Sequence, residues 1–262
     1  MKNINEVELF LLDLDGTVYL GSNEIDGAFD AVNTLRKQGK RICFLTNNSS
    51  KSQVAYEEKL NNMGLTVTSD EIYTSGMAAA EFLNKKYFGK KVFVLGTEAL
   101  KQELISYNVP LSDYVDAEVA LLGFDTGLTY DNLYKFCLLL QRGAEYVATH
   151  PDNVCPAPLG DMPDAGSFIK MIEVATGRVP DYVCGKPYSV MANCIKDRFN
   201  LKSNQIAMVG DRLYTDIAFG INNDFYSVLV LSGETDQKML EKSDLSPSLV
   251  IPSIKELPQK IK

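Results

Sequence analysis

The chain has one histidine, His150, and no tryptophan among 262 residues. Its five cysteines (Cys43, Cys137, Cys155, Cys184 and Cys194) are scattered, odd in number, and form no Cys-x-x-Cys pair. That usage argues against both a Cys/His zinc site and a disulfide framework, and it fits a reducing, cytoplasmic setting. No apolar run approaches the roughly 18 residues of a membrane span. The opening residues Met1-Lys2-Asn3-Ile4-Asn5-Glu6 lack the shape of a signal peptide. Positive charge is scarce as well: 26 Lys and Arg face 34 Asp and Glu, a formal net charge of −8. A nucleic-acid groove is disfavoured by that balance. An anionic substrate has to be met locally, by a metal, a lysine or backbone N–H groups. There is no internal repeat and no low-complexity segment.

What is present is an ordinary globular composition, 45% hydrophobic and 23% charged, in a chain long enough for two modest domains. It is organised around Leu9-Phe10-Leu11-Leu12-Asp13-Leu14-Asp15-Gly16-Thr17. Four apolar residues run into two aspartates and a glycine, which reads as a buried parallel strand and a sharp turn. Side chains in a strand alternate faces, so Asp13 and Asp15 point to the same side. Two carboxylates so close resist joint ionisation, so a shared proton, a base or a metal has to relieve them.

The pattern then repeats. Helical spacing over 27–37 leads to an apolar strand over 41–45, which runs into Thr46-Asn47-Asn48-Ser49-Ser50. A polar loop at a strand end, before a helix over 52–63, either holds an anion or simply caps the helix. A strand at 72–74 and a helix over 77–88 complete a first α/β block. Residues 89–181 alternate strand and helix again and read as an inserted second α/β domain between core segments 1–88 and 182–262. This insert includes His150-Pro151-Asp152 at a strand end and a loop over 154–166 carrying Pro156, Pro158 and Pro163. His150, beside Asp152, either contacts substrate or caps the loop. Past the insert, Gly185-Lys186-Pro187 holds a lysine in a stiff turn. Gln205 to Asp211 repeats the form of the first stretch, and Asp216 follows at a helix start, where capping, orientation and ligation are all open.

Strand ends from both core segments thus gather Asp13, Asp15, Thr46, Asn47, Lys186, Asp211 and Asp216 at one edge. Several acids near one lysine call for a hard divalent cation. Oxygen ligands favour Mg²⁺ over zinc, with Asp13 and Asp211 the fitting carboxylates. Such a site suits phosphoryl transfer. Asp13 attacks phosphorus, Asp15 serves as acid and then base, Lys186 neutralises charge, and Thr46 and Asn47 hold the phosphoryl oxygens.

These residues resemble, in order, the four motifs of the haloacid dehalogenase (HAD) superfamily of phosphatases: Asp13-Leu14-Asp15-Gly16-Thr17, Thr46-Asn47-Asn48, Gly185-Lys186-Pro187, and Gly210-Asp211 with Asp216. Asp15-Gly16-Thr17-Val18-Tyr19, Leu45-Thr46-Asn47-Asn48-Ser49 and Val209-Gly210-Asp211-Arg212-Leu213 narrow the resemblance to the NagD-like, p-nitrophenyl phosphatase branch. It implies a Rossmann-like parallel-sheet core with an inserted α/β cap, and Mg²⁺ held by the Asp13 carboxylate, the Asp15 carbonyl and Asp211. It also implies a small phosphorylated metabolite as substrate, with Asn48 in the substrate loop. In this branch the cap shapes the leaving-group pocket, and His150, Asp152 and the Ala165-Gly166-Ser167 turn align with that part. Relatives often dimerise through the cap, so a homodimer is one of the arrangements the resemblance implies. One departure is Tyr214, where many relatives carry a further acid, which leaves Asp216 as the only second acid of its motif.

Other readings fare less well. A phosphometabolite sensor on this scaffold generally loses one of the two aspartates, and both are here. Dehalogenases of the superfamily lack the second aspartate. Phosphomutases generally carry a small helical cap in place of an α/β one. The substrate is not named by these residues.

Overall fold

The computed structural model describes residues 2–157 and 159–262; Met1 and Pro158, the latter in the predicted insert loop, lie outside the described residues. In chain order the main elements are β1 (Leu9–Leu12), β2 (Tyr19–Leu20), β3 (Asn23–Glu24), α1 (Ala28–Lys37), β4 (Arg41–Thr46), α2 (Gln53–Asn62), β5 (Ile72–Thr74), α3 (Ser75–Lys86), β6 (Val92–Leu95), α4 (Glu98–Ser106), β7 (Val119–Leu122) and α5 (Tyr130–Gln141). They continue with β8 (Glu145–Ala148), β9 (Val154–Cys155), β10 (Met162–Pro163), α6 (Ala165–Thr176), β11 (Tyr182–Val183), α7 (Ser189–Phe199), β12 (Ile206–Gly210), α8 (Ala218–Asn222), β13 (Tyr226–Val230), α9 (Gln237–Glu241) and β14 (Leu249–Ile251). The fold is α/β, as the alternation predicts.

The chain divides into two compact units. Unit 1 is residues 1–46, 56–73 and 186–262, and unit 2 is residues 47–55 and 74–185. The division differs in detail from a plain insert over 89–181. Helix α3 belongs to unit 2, where Thr74 caps its first turn by accepting the Met77 N–H at 3.0 Å and donates to Glu103 of α4 at 2.9 Å. Strand β11 also belongs there, paired with β8, so unit 1 resumes at Lys186. The segment 47–55 joins unit 2 although it follows β4 directly.

Unit 1 is built on a six-stranded sheet in the order β14-β13-β12-β1-β4-β5. Strand β1 sits between β12 and β4, parallel to both, with Leu9 opposite Ile206 and Arg41. All four β1 residues are buried, as an apolar strand covered on both faces must be. Helix α1 follows from its spacing: Ala28, Phe29, Ala31, Val32 and Leu35 are buried, with Arg36 and Lys37 in the last turn favouring the helix dipole. These side chains pack with Phe10, Leu12, Phe44, Val209 and Val228 in one core. Full burial of each large apolar side chain contributes about 1.5–3 kcal/mol. Parallel strands bring their carboxyl ends to one edge, and that edge carries the chemistry.

Unit 2 has its own parallel sheet, β11-β8-β7-β6. Its core joins Leu122, Phe136, Tyr146, Phe168 and Ile172. Helix α6 starts at Asp164, whose side chain accepts the Ala165 N–H, and stops at Gly177 in the left-handed region (φ +71°). Among the described residues no helix is long and apolar enough to cross a membrane.

Candidate active site

Strand β1 ends at Leu12, and the ladder extends one step further through the Asp13 N–H to the Val209 carbonyl (2.9 Å). This fixes Asp13 at the carboxyl end of a central strand. Strand alternation does not carry Asp15, as the sequence reading supposed. Asp15 lies past the strand in a turn, bridged to Tyr19, and is exposed while Asp13 is buried. The chain has left the extended conformation by then, with Gly16 at φ +87°.

The adjacent strand β12 delivers Asp211 in the same way. Asp216 sits in the wide turn Leu213–Ile217 before α8, rather than in a regular helix start. Carboxylate oxygens of Asp13, Asp211 and Asp216 all lie within 4.8 Å of one another, and all three residues are buried. Lys186 Nζ donates to Asp13 Oδ1 at 2.5 Å and to Asp216 Oδ1 at 2.6 Å, with the lysine only 2% exposed. The other Asp216 oxygen accepts the Arg212 N–H at 3.1 Å. Asp211 Oδ2 accepts the Glu234 N–H at 2.6 Å. Asp211 Oδ1 is buried and accepts no hydrogen bond.

Three buried carboxylates against one ammonium do not balance. Burial first, and then the Asp216 charge, push the Asp13 carboxyl up to about 8, against the pull of Lys186 and with a further push from Asp211. Burial and Asp216 likewise push Asp211 to about 6. Burial pulls the Lys186 ammonium down, but Asp13 and Asp216 outweigh it and leave the group above the ordinary lysine value. A buried acceptor without a donor costs free energy unless a ligand meets it. A hard divalent cation fits this donor set: all oxygen, excess negative charge, and one bare lone-pair site on Asp211. The close packing is permitted by missing side chains. A Cβ on Gly16 or Gly233 would run into the Asp211 carboxylate, and one on Gly210 into that of Asp216.

Thr46, the last residue of β4, is buried in unit 1. The residues after it are tied within unit 2. Asn47 Nδ2 donates to Asp152 Oδ1 at 3.0 Å. Asn48 Oδ1 accepts from the Ser50 N–H and hydroxyl, the turn-capping arrangement also open from sequence, and its Nδ2 reaches Cys155 Sγ at 3.7 Å. His150 is fully buried, with Nε2 2.9 Å from Asp164 Oδ1 and Nδ1 2.9 Å from Thr149 Oγ1. Its ring nitrogens are thus engaged inside unit 2.

Sequence reasoning missed the residues that wrap Asp211. Ser232 Oγ donates to the Gly16 carbonyl at 2.8 Å, the Thr235 N–H bonds the Asp211 carbonyl at 3.3 Å, and Glu234 meets the Arg212 guanidinium at 2.9 Å. The only signal for them was a glycine in a polar run after a strand. Helix α9 starts only at Gln237, because 232–235 serve as this wrap.

Comparison with known proteins agrees with this geometry. Residues 10–110 match the family model of haloacid dehalogenase-like hydrolases, and residues 183–257 match the HAD-hydrolase-like model. An acid sugar phosphatase of Staphylococcus saprophyticus is 34% identical over 257 residues, covering 98% of each chain. A 4-nitrophenylphosphatase of Thermotoga maritima superposes with a TM-score of 0.95 at 41% identity, covering 98% of each chain. A glycerol phosphate phosphatase of Mycobacterium tuberculosis, solved in complex with magnesium, superposes at 0.90 with 29% identity over 98% of this chain and 78% of that one. The chain belongs to the haloacid dehalogenase superfamily, as a phosphatase of its NagD-like, p-nitrophenyl phosphatase branch. It is a phosphoric monoester hydrolase, and its buried aspartate cluster supports a divalent-metal, aspartyl-phosphate mechanism.

Proposed function

We propose that this enzyme hydrolyses small organic phosphate monoesters in a Mg²⁺-dependent reaction, with Asp13 as the nucleophile. The observation that carries the reading is the Asp13 carboxylate held by Lys186 at the end of β1, among acids that include the bare Asp211 oxygen. Asp13 and Asp211 would hold the ion, with the Asp15 carbonyl as the third protein ligand implied by the family motif. Both Asp216 oxygens already accept protein donors, which favours an orienting role for Asp216. When bound, Mg²⁺ would supply positive charge to the phosphoryl oxygens and offset the charge of the clustered carboxylates.

Asp13 attacks phosphorus while the bond to the ester oxygen breaks, giving an aspartyl-phosphate. The exposed Asp15 protonates the leaving alkoxide. It then takes a proton from water, which attacks the aspartyl-phosphate and releases inorganic phosphate. Lys186 holds the orientation of Asp13 and offsets negative charge. Thr46 and Asn47 hold the phosphoryl oxygens, and the family resemblance assigns Asn48, Asp152 and the Ala165-Gly166-Ser167 turn to substrate recognition. The named relatives act on sugar, aryl and glycerol phosphates, which supports a small monoester. Residues 89–181, the inserted domain of the sequence reading, act as its cap.

Purified protein should release phosphate from 4-nitrophenyl phosphate with Mg²⁺ and stop on addition of EDTA. Asp13→Asn should lower kcat by roughly three orders of magnitude or more. Near-parental turnover in that variant would refute the covalent mechanism. A panel of sugar phosphates, nucleoside monophosphates, phosphoglycolate and pyridoxal phosphate then ranks substrates by kcat/KM.

A further inference from the structure

The mechanism above uses neither the one histidine nor the acid beside it, although both are buried, at 0% and 3% exposure. Asp164 Oδ1 already accepts the Ala165 N–H at 2.5 Å as the cap of α6. His150 Nε2 lies 2.9 Å from the same oxygen. A carboxylate oxygen accepts, so Nε2 carries the proton, and in the neutral ring Nδ1 is then an acceptor. Thr149 Oγ1, 2.9 Å away, donates to it. The same Thr149 oxygen is free to accept from Ser49 Oγ at 3.0 Å, and Ser49 Oγ accepts the Phe124 N–H at 2.9 Å. One direction of donation, Ser49 to Thr149 to His150 to Asp164, satisfies every member. Beside this chain, Ser75 Oγ lies 3.5 Å from His150 Nδ1 and donates to the Asn47 carbonyl.

The network therefore grips the loop after Thr46 at the Ser49 hydroxyl, while Ser75, beside it, holds the Asn47 carbonyl. The Asn47 amide is held separately by Asp152, two residues beyond the histidine. We infer that His150 is a positioning residue for the Asn47–Ser49 loop. Its ring holds the Thr149 hydroxyl in line with Ser49, which sets the loop backbone and hence the affinity for the phosphoryl group. The inference rests on the assignment of Thr46 and Asn47 as phosphoryl ligands, and it replaces substrate contact as the role of His150.

Thr149→Val removes the relaying hydroxyl at nearly constant volume, Thr149→Ser keeps it, and His150→Leu removes both ring nitrogens. With Mg²⁺ and 4-nitrophenyl phosphate, Thr149→Val and His150→Leu should raise KM and the inhibition constant of inorganic phosphate about tenfold, the effect of one buried hydrogen bond. Their kcat should stay within about threefold of the parent, and Thr149→Ser should match the parent, because only the loop has shifted. The Mg²⁺ concentration for half activity, set in unit 1, should not move. Parental KM and phosphate inhibition in folded Thr149→Val would overturn the inference, as would equal impairment of the Val and Ser variants. If His150→Leu does not fold, the Thr149 pair decides. A parent protein without Mg²⁺-dependent turnover would overturn the site assignment itself, a result visible before any variant is made.

Discussion

The two buried polar clusters close their hydrogen bonds in opposite ways. In unit 2 the Asp164–His150–Thr149–Ser49 chain gives each donor an acceptor, with a single consistent direction. In unit 1 one lysine bonds two of three clustered carboxylates, and an oxygen of the third, Asp211, faces no donor. A closed network is rigid and has nothing left to offer a ligand; an open one holds its side chains in place and leaves charge uncompensated. The difference separates a cluster suited to holding a loop in place from one suited to receiving a cation.

Several measurements sharpen or break that contrast. The largest effect should come from the open cluster. Asp211→Asn replaces a charged acceptor at the bare position, and should raise the Mg²⁺ requirement roughly 10–100-fold. Titration of activity against Mg²⁺ reads this, and an unchanged requirement would remove Asp211 from the metal site.

Next comes pH. Asp13 and Asp211 have folded values of about 8 and about 6, above the roughly 3.9 of an unfolded aspartate. Raised values mean that the native state binds more protons. Their contribution to stability is therefore full below pH ~4 and is lost as pH rises through 6 and 8. The Lys186 shift acts only above the ordinary lysine range, outside this window. The metal-free melting temperature should fall from pH 5 to 8.5, and Mg²⁺ should restore more of it at the upper end. A metal-free melting temperature that rises across that range would contradict the open-cluster reading.

A smaller effect is expected in the closed network. A Cβ on Gly185 would sit 2.6 Å from Asn47 Oδ1 and 2.9 Å from both the His150 Cβ and the Thr149 carbonyl. Gly185→Ala should cost about 1–3 kcal/mol in denaturant unfolding and raise KM. The smallest concerns Glu103, pushed up to about 7 by burial despite the opposing hydrogen bonds from Thr74 and the Gln53 backbone. Its stabilising contribution is lost as pH rises through 7, so Glu103→Gln should gain on the parent by on the order of 1 kcal/mol between pH 5 and 8. Mg²⁺ should leave that gain unaltered, since Glu103 belongs to unit 2.

How much of this was readable in the chain follows from range. Helix α1 and the strands beginning at Leu9 and Arg41 follow from local periodicity, and the structure has them within a residue of where the pattern puts them. The meeting of Asp13 and Asp211 follows from two apolar runs ending in acids on parallel strands. The hairpins β2–β3 and β9–β10 have two-residue strands, too short for any period to register. Asp15 was misplaced because a strand pattern does not mark its own last residue. His150 is polar and sits at a strand end, so its burial shows only once Asp164, fourteen residues later, folds back onto it. The loop 47–55 reads as part of the first block because its ties to Thr149, Phe124 and Asp152 are all distant in sequence.

The central position of β1 bears on how the protein is made. Leu9 pairs with Arg41 and with Ile206, so the strand carrying Asp13 gains one neighbour early and waits for the other until roughly four fifths of the chain has left the ribosome. Unit 2 is nearly contiguous, and its sheet is complete with β11, before that neighbour is synthesised. During translation the parallel sheet of unit 2 can therefore form ahead of the setting of Asp13, since pairing across long separations is slow. The aspartates stay apart, and their repulsion unexpressed, until the last strands arrive.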